Sequence, residues 1–246
     1  MPVDRDDLTP IGDCRQCRYS RNLLLSGRCI PGDTCIAVKS GRQMDRFLRL
    51  NPEYARLYLA NAFWERRAIA VRYAPVDMLQ AMIHDPDEAV RRAVAYRLPR
   101  EQLLSMMDDE DREVRITVAD RLPLEYLERM ATDIDYLVRV YVVQRVPVGR
   151  LFRFIRDEDR QVRKIVAKRL PEESLILIAN DDEPEIRRIV ASRLHGEDVV
   201  SLLDDEDWTV RLEAVKNAPL QALEVMLEDK DAEVREAVQN RLELGV

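Results

Sequence analysis

The sequence predicts an all-α fold, a solenoid of 24-residue helical repeats that follows a small four-cysteine module. Three observations predict it: a 24-residue period that begins at residue 66, a composition rich in charged residues (35%) and poor in aromatic ones (6%), and four cysteines confined to the amino-terminal region. Such a composition is typical of helical arrays. With 46% apolar residues, the chain of 246 residues can bury a core without disulfides.

The period is visible residue by residue. Seven full repeats and a truncated eighth follow one another without insertion, and arginine occupies the second position of each, from Arg67 to Arg235. Proline occupies the tenth position of the seven full repeats, as in Pro75 and Pro99, except where His195 replaces it. Repeats that cannot bury their apolar faces alone must stack on their neighbours, which predicts a solenoid.

Each repeat begins with an amphipathic helix. Apolar residues at positions 1, 5 and 9, such as Val90, Val94 and Leu98, fall on one helical face. An aspartate holds position 20, and we expect Asp85 to cap the next helix, with Pro86 in its first turn.

The second half of each repeat is a shorter apolar segment. Pro99 ends the first helix, because proline disfavours helical geometry in the residue before it. The segment that follows, with Leu103 and Met106, has room for about two turns. The pattern does not separate a short α-helix from a 3₁₀ helix.

The register extends upstream of residue 66, since Leu50 falls at position 9 and Asn61 in the aspartate column. Terminal repeats are commonly atypical. The predicted organisation is therefore a four-cysteine metal-cluster module over 1–45, a degenerate capping repeat over 46–65, and the repeat solenoid over 66–246.

The arginine column has two interpretations. From Arg91 onwards an acidic residue lies four positions before each arginine, as Asp87 does before Arg91 and Glu183 before Arg187. Such pairs would neutralise the arginines and make them a structural ladder that joins adjacent repeats. The alternative is a stripe that binds phosphates or carboxylates.

Net charge and hydropathy exclude two classes of partner. The formal net charge is −7 and the acidity lies after residue 45, which argues against nucleic acid, because phosphate-backbone binding needs a basic face. The first seven residues lack the features of a signal peptide, and no apolar stretch is long enough to span a membrane. We therefore expect a cytoplasmic protein with no membrane contact.

The cysteines have the spacing C-x2-C-x11-C-x5-C, a metal-site pattern. Zinc and a [4Fe-4S] cluster both accept four thiolates. The five-residue gap of the second pair and the turn at Pro31 and Gly32 favour iron–sulfur, with zinc, disulfides or free thiols left open. The predicted ligands are Cys14, Cys17, Cys29 and Cys35.

The sequence predicts no catalytic residues. His84 and His195 belong to distant repeats, and carboxylate pairs such as Asp108 and Asp109, found again at 181–182 and 204–205, are expected to be solvated helix caps. Glycine-rich phosphate loops and nucleophile elbows are absent from the sequence. Trp208, in an acidic turn, is a candidate partner contact.

The two halves together resemble the leucine-rich repeat variant family with an amino-terminal iron–sulfur domain. The resemblance rests on the motif V-R-x-x-V-A-x-R-L-P, seen in residues 90–99 and 162–171, and on the four preceding cysteines. It implies that these cysteines ligate a [4Fe-4S] cluster. It also implies that each repeat pairs an α-helix with a 3₁₀ helix in a right-handed superhelix without strands, and it associates the family with nitrogen-fixing bacteria.

The expected function is a non-enzymatic scaffold that binds an unidentified protein partner on the solenoid surface, while the cluster senses redox state or transfers an electron. One alternative is a scaffold with structural zinc. A cluster-dependent enzyme is the other, although four cysteine ligands leave no iron with an open position.

Overall fold

The computed structural model describes residues 9–245. The first seven residues, in which the sequence shows no features of a signal peptide, lie outside the described range. Contacts divide the chain into two compact units, Met1–Tyr126 and Leu127–Val246. Over the described residues the regular structure is entirely helical. None of the described helices combines the length and the apolar character needed to cross a membrane.

α-Helices and 3₁₀ helices alternate along both units, except that two repeats place a four-residue α-helix before the 3₁₀ helix. The α-helices are α1 Gly41–Leu50, α2 Trp64–Tyr73, α3 Glu88–Arg97, α4 Arg112–Arg121, α5 Leu124–Leu127, α6 Tyr136–Arg145, α7 Arg160–Arg169, α8 Pro184–Ala191, α9 Trp208–Asn217, α10 Leu220–Leu223 and α11 Ala232–Leu244. The 3₁₀ helices are Pro52–Tyr58, Val76–Met82, Arg100–Met106, Glu128–Met130, Val148–Phe154, Glu172–Ile178, Gly196–Asp204 and Glu224–Met226. The all-α repeat fold is therefore confirmed, whereas the right-handed sense stays a prediction.

The α-helices begin two residues later than the sequence predicted. The N-cap of α3 is Asp87, whose carboxylate accepts a hydrogen bond from the amide of Ala89 at 3.1 Å. The prediction that Asp85 caps this helix was wrong. Both aspartates could cap a helix, but the carboxylate of Asp85 is already bound by Arg67.

The arginine at position 2 forms the central contact of each repeat. Arg91 donates two hydrogen bonds to the carboxylate of Asp109, from Nε at 2.9 Å and from Nη2 at 3.0 Å. Its Nη1 donates to the backbone oxygen of Asp85 at 2.9 Å. Since Asp85 and Asp109 are equivalent residues of successive repeats, one guanidinium joins two turns.

The same pairing recurs in both units. It joins Arg67 to Asp85, Arg139 to Asp157, Arg163 to Asp181, Arg187 to Asp205 and Arg211 to Asp229, at 2.7–2.8 Å for the closest atom pair. The carboxylates are buried, at 4–8% side-chain exposure. The hydrogen bond to the aspartate raises the pKa of each of these arginines, so the pair is held in its charged form.

These contacts decide between the two interpretations of the arginine column. The ladder that joins adjacent repeats is confirmed, but the expected partner was wrong. Arg91 binds an aspartate 18 residues later in the chain, while Asp87 caps the helix. The carboxylates of Asp109, Asp181 and Asp205 are thus buried partners of arginine, so the prediction that they are solvated caps was also wrong.

A second arginine column, at position 8, ties the ends of neighbouring α-helices together. Arg97 in α3 donates to the carbonyls of Val71 and Ala74 at the end of α2, at 2.8 and 3.1 Å. In the second unit Arg193 bonds the carbonyls of Ala167 and Leu170 in the same way. The last backbone carbonyls of a helix have no hydrogen-bond partner within that helix. These arginines, which belong to the next repeat, donate the missing hydrogen bonds.

The predicted apolar positions form the core. Val90, Val94 and Leu98 have no exposed surface, and Leu103 and Met106 of the following 3₁₀ helix are buried beside them. The repeat without proline departs from the pattern, because α8 ends at Ala191 and His195 precedes Gly196, which has a φ of +59°.

The buried pair predicts a large, local effect on stability. In Arg139→Met, Asp157 is left as a buried carboxylate without its cation, so we expect the free energy of unfolding to fall by about 3–5 kcal/mol. Urea unfolding measures it. The matched control is Arg160→Met, which removes an exposed ion pair to Glu183 at 3.6 Å and should cost less than about 1 kcal/mol. Equal losses would contradict the assignment of stability to the ladder.

Asp229 predicts a specific pH dependence. The hydrogen bonds from Arg211 hold the pKa of this carboxyl below its usual value. A depressed native pKa contributes stability that is complete above the unfolded pKa of about 3.9 and disappears as the pH falls through the native pKa.

The difference in unfolding free energy between the wild type and Asp229→Asn should therefore be constant above about pH 5 and shrink below about pH 4. Chemical unfolding across this range measures it. A difference that does not change with pH would show that the charge of Asp229 contributes nothing.

Candidate metal centre

Turns rather than regular helices hold the four cysteines. The amide of Cys17 donates to the carbonyl of Cys14 at 3.3 Å, which closes a turn around the first pair. Ile30 and Thr34 exchange backbone hydrogen bonds between the members of the second pair, with Gly32 at a φ of +79°. This positive φ favours glycine, and the predicted Pro31-Gly32 turn is confirmed.

The four cysteines are free thiols, and they lie close enough for the charges of the other three to act on Cys29. Cys29 and Cys35 are buried, at 4% and 3% exposure, whereas Cys14 and Cys17 are half-buried. Burial, followed by the charges of the other three cysteines, raises the pKa of the Cys29 thiol to about 11. Burial and the charges of Cys17, Cys35 and Asp13 raise the pKa of Cys14. Mutual effects of this kind require the thiols to lie near one another.

Gly12 leaves space beside the second cysteine pair. A Cβ atom at this position would lie 2.8 Å from the Sγ of Cys35, closer than two such atoms can pack. The carbonyl of Gly12 also accepts a weak hydrogen bond from the Sγ of Cys14 at 3.7 Å. One glycine therefore contacts a thiol from each pair.

These residues fit a four-thiolate iron–sulfur group. The donors are four free thiols, and the site has a close approach that only glycine permits. Across residues 9–245, no three His, Cys, Asp or Glu side chains are arranged to hold a single metal ion. A cluster has a different requirement, because each of its irons binds one thiolate.

Aromatic packing attaches this module to the first repeat. Tyr19, between the two cysteine pairs, is 2% exposed and packs on Phe47 of α1 and on Tyr54, with ring centroids 5.2 and 5.1 Å apart. Its hydroxyl lies 2.8 Å from that of Tyr58. Burial, followed by this contact, raises the pKa of Tyr58, so both groups stay neutral and the contact is an ordinary hydrogen bond.

Polar contacts hold both cysteine pairs against α1. The side chain of Gln43 donates to the carbonyl of Pro10 at 2.8 Å, just before the first pair. Asn51 donates to the carbonyl of Arg28 at 3.0 Å, next to Cys29. Arg28 in turn donates to the carbonyl of Leu50 at 2.8 Å. The first helix thus positions the loops that carry the ligands.

The structure brings the four predicted ligands into one module, while their role as ligands stays a prediction. Sequence reasoning missed Gly12, Tyr19 and Asn51. Only the position of Gly12, two residues before Cys14, could have pointed to it, because the others act through contacts that are distant in sequence. The predicted boundaries at residues 45 and 65 also stay predictions.

The residues considered for catalysis lie elsewhere. Nδ1 of His195 contacts Glu172 at 2.8 Å on the surface of the second unit, and His84 belongs to the first. Trp208 is the first residue of α9 and is 39% exposed, so its predicted partner contact stays open.

Comparison with known families gives two matches. The family described as "LRV protein FeS4 cluster" matches residues 10–57, and the family described as "Leucine rich repeat variant" matches residues 64–87 and 88–111. A solved structure described as a leucine-rich repeat variant with a novel repetitive structural motif is 70% identical. That match covers 95% of this chain and 100% of the other, with a TM-score of 0.92.

A curated protein of Rhodobacter capsulatus, described as an uncharacterized 27.7 kDa protein in the nifB 3′ region, is 38% identical over 87 residues. The match spans 35% of this chain and 35% of that relative.

Gly12 supplies a test of the site. In Gly12→Ala, the added methyl group must displace the Sγ of Cys35, so we expect less iron per chain and faster loss of iron to a chelator. The matched control is Gly149→Ala, where a Cβ meets nothing within 4 Å. Iron analysis with a thermal melt of the repeats distinguishes a local effect from unfolding. Equal iron in both variants would contradict the role given to Gly12.

Proposed function

Because the chain belongs to the leucine-rich repeat variant family and carries its FeS4 cluster domain, we propose that it is a redox-responsive protein-binding scaffold. In this proposal the thiolates of Cys14, Cys17, Cys29 and Cys35 bind a [4Fe-4S] cluster, and the repeats present a surface to a partner protein. Such a cluster supplies one-electron chemistry at a potential set by its surroundings.

The observation that carries the proposal is the grouping of four free thiols in a module attached to the first repeat. Two thiols are buried and two are half-buried. The buried pair protects its ligands from solvent, while the exposed side of Cys14 and Cys17 leaves a short path to a redox partner.

The attachment to α1 supports coupling between module and repeats. Tyr19 and Asn51 connect the ligand loops with α1 and with the 3₁₀ helix Pro52–Tyr58. A change of charge at the four cysteines therefore acts on loops that α1 holds in place. Redox sensing requires such a connection between the site that changes and the surface that binds.

The repeats support a binding role rather than catalysis. Their buried arginines are already bonded to aspartates and carbonyls, so recognition falls to the exposed side chains. Solenoids present extended surfaces of this kind. An accessory role in nitrogen fixation is part of the proposal, supported by the description of the Rhodobacter capsulatus relative.

Two alternatives remain to be tested against it. Structural zinc also accepts four thiolates and would leave only the scaffold. A cluster-dependent enzyme requires an iron with an open position, whereas four thiolates provide a ligand for every iron.

Metal analysis after purification without oxygen tests the proposal. We expect about four irons and four sulfides per chain, with a broad visible absorption that bleaches on reduction. Serine at any one of the four cysteine positions should lower the iron content, whereas Arg160→Met should not change it. One zinc per chain in a colourless protein would replace the cluster by a structural metal.

The scaffold part has its own test. Oxidised and reduced protein are used to capture partners from a cell extract, and identical sets of captured proteins would remove the redox response from the proposal. Activity that depends on an added substrate would instead favour the enzyme.

A further inference from the structure

A groove of about 730 Å³ crosses the surface of α1, α2 and α3 in the first unit. Neither the four cysteines nor the arginines of the buried ladder line it. The volume is within the range of about 300–1,000 Å³ that ligand sites occupy.

Small side chains open this groove. Gly41, Ala68 and Ala93 contribute to its lining, one from each helix. At the position of Ala93 the next five repeats carry larger residues, such as Tyr141 and Ile165, and alanine returns at Ala237 in the truncated repeat. The groove is therefore a local departure from the repeat rather than a consequence of it.

The groove is positively charged within an acidic chain. Four arginines and two carboxylates line it: Arg42, Arg72, Arg92, Arg97, Asp45 and Glu65. One carboxylate is already engaged, because Asp45 is bonded by Arg72 at 3.2 Å and by the hydroxyl of Tyr73 at 3.0 Å. The carboxylate of Glu65 lies beside Gly41, where an added Cβ would collide with it. The excess positive charge thus favours an anionic occupant.

Two aromatic rings and two accessible arginines complete the site. Trp64 is 43% exposed and Tyr96 is 56% exposed, and both line the groove. Arg42 is exposed, and Arg92 is 48% exposed with only a distant contact to Glu113, at 3.8 Å. Tryptophan, tyrosine and arginine are the residues that most often dominate the energy of protein interfaces.

We propose that this groove binds an extended segment of a partner protein that carries both acidic and apolar side chains on one face. The apolar side chains contact Trp64 and Tyr96, and the carboxylates pair with Arg42 and Arg92. Three packed helices span about 20 Å, the length of roughly six residues of extended chain. The inference rests on the proposed scaffold function and specifies where the partner binds.

Binding of synthetic peptides to the full-length protein tests the proposal. The probe is a short peptide in which pairs of glutamates alternate with pairs of leucines, so that each face of the extended chain carries both types. Calorimetry and tryptophan fluorescence measure its affinity. We expect binding that weakens as salt increases. The double substitution Arg42→Glu with Arg92→Glu should lower the affinity about tenfold or more, and Trp64→Ala should also lower it.

The controls separate this groove from general electrostatics. Arg160→Glu with Arg188→Glu reverses two exposed charges on α7 and α8 and should leave the affinity unchanged. A lysine–leucine peptide should bind the Arg42 and Arg92 variant better than the wild type. Circular dichroism and iron content confirm that each variant is folded and loaded.

Three results would overturn the proposal: no peptide binding by the wild type, equal losses in the two double variants, or ATP binding in the groove without peptide binding. The proposed function fails separately. If the wild type captures a partner and the Arg42 and Arg92 variant captures it equally well, the scaffold stands and the groove is wrong. If the wild type captures none, the scaffold itself fails.

Discussion

The bidentate contact between the arginine at position 2 and the aspartate 18 residues later constrains the rest of the array. Each guanidinium bonds a buried carboxylate in its own repeat and a backbone carbonyl of the turn before it, as Arg91 does with Asp109 and Asp85. A buried ion is stable only when it is paired and hydrogen-bonded. An insertion anywhere in the repeat would separate these partners. The uninterrupted 24-residue period follows from this requirement.

The second arginine column acts at the other end of the helices, with Asn217 in place of arginine in one repeat. Arg97 and Arg193 bond the final carbonyls of the α-helix before them, and in the last repeat Arg241 does the same. Together the two columns satisfy polar groups at both ends of the helices from within the stack. The arginines of these two columns are therefore structural, and in our proposal recognition depends on residues that break the pattern.

The departures that open the proposed binding groove lie in the first unit. Gln43 of α1 and Asn51 just after it hold the cysteine loops, and Gly41 and Arg42 of the same helix line the groove. The terminal repeat of the array therefore has two roles. It covers the end of the apolar core and it is the physical connection between the cysteine module and the surface that we propose binds a partner.

The sequence by itself determined the repeat length, the all-α class and the grouping of four metal-type cysteines, because these depend on local spacing and on patterns that recur. It also predicted the turn at Pro31 and Gly32. It did not distinguish which aspartate caps a helix and which binds arginine, since Asp85 and Asp87 have the same chemistry and lie two residues apart.

Only the tertiary structure decided that Asp109 is the partner of Arg91, that Tyr19 and Asn51 attach the module, and that a groove opens beside Ala93. The physical reason is common to these cases. Each contact joins groups that are 18 or more residues apart in the sequence and that meet only when the repeats stack. The spacing of neighbouring residues in the sequence does not predict such contacts.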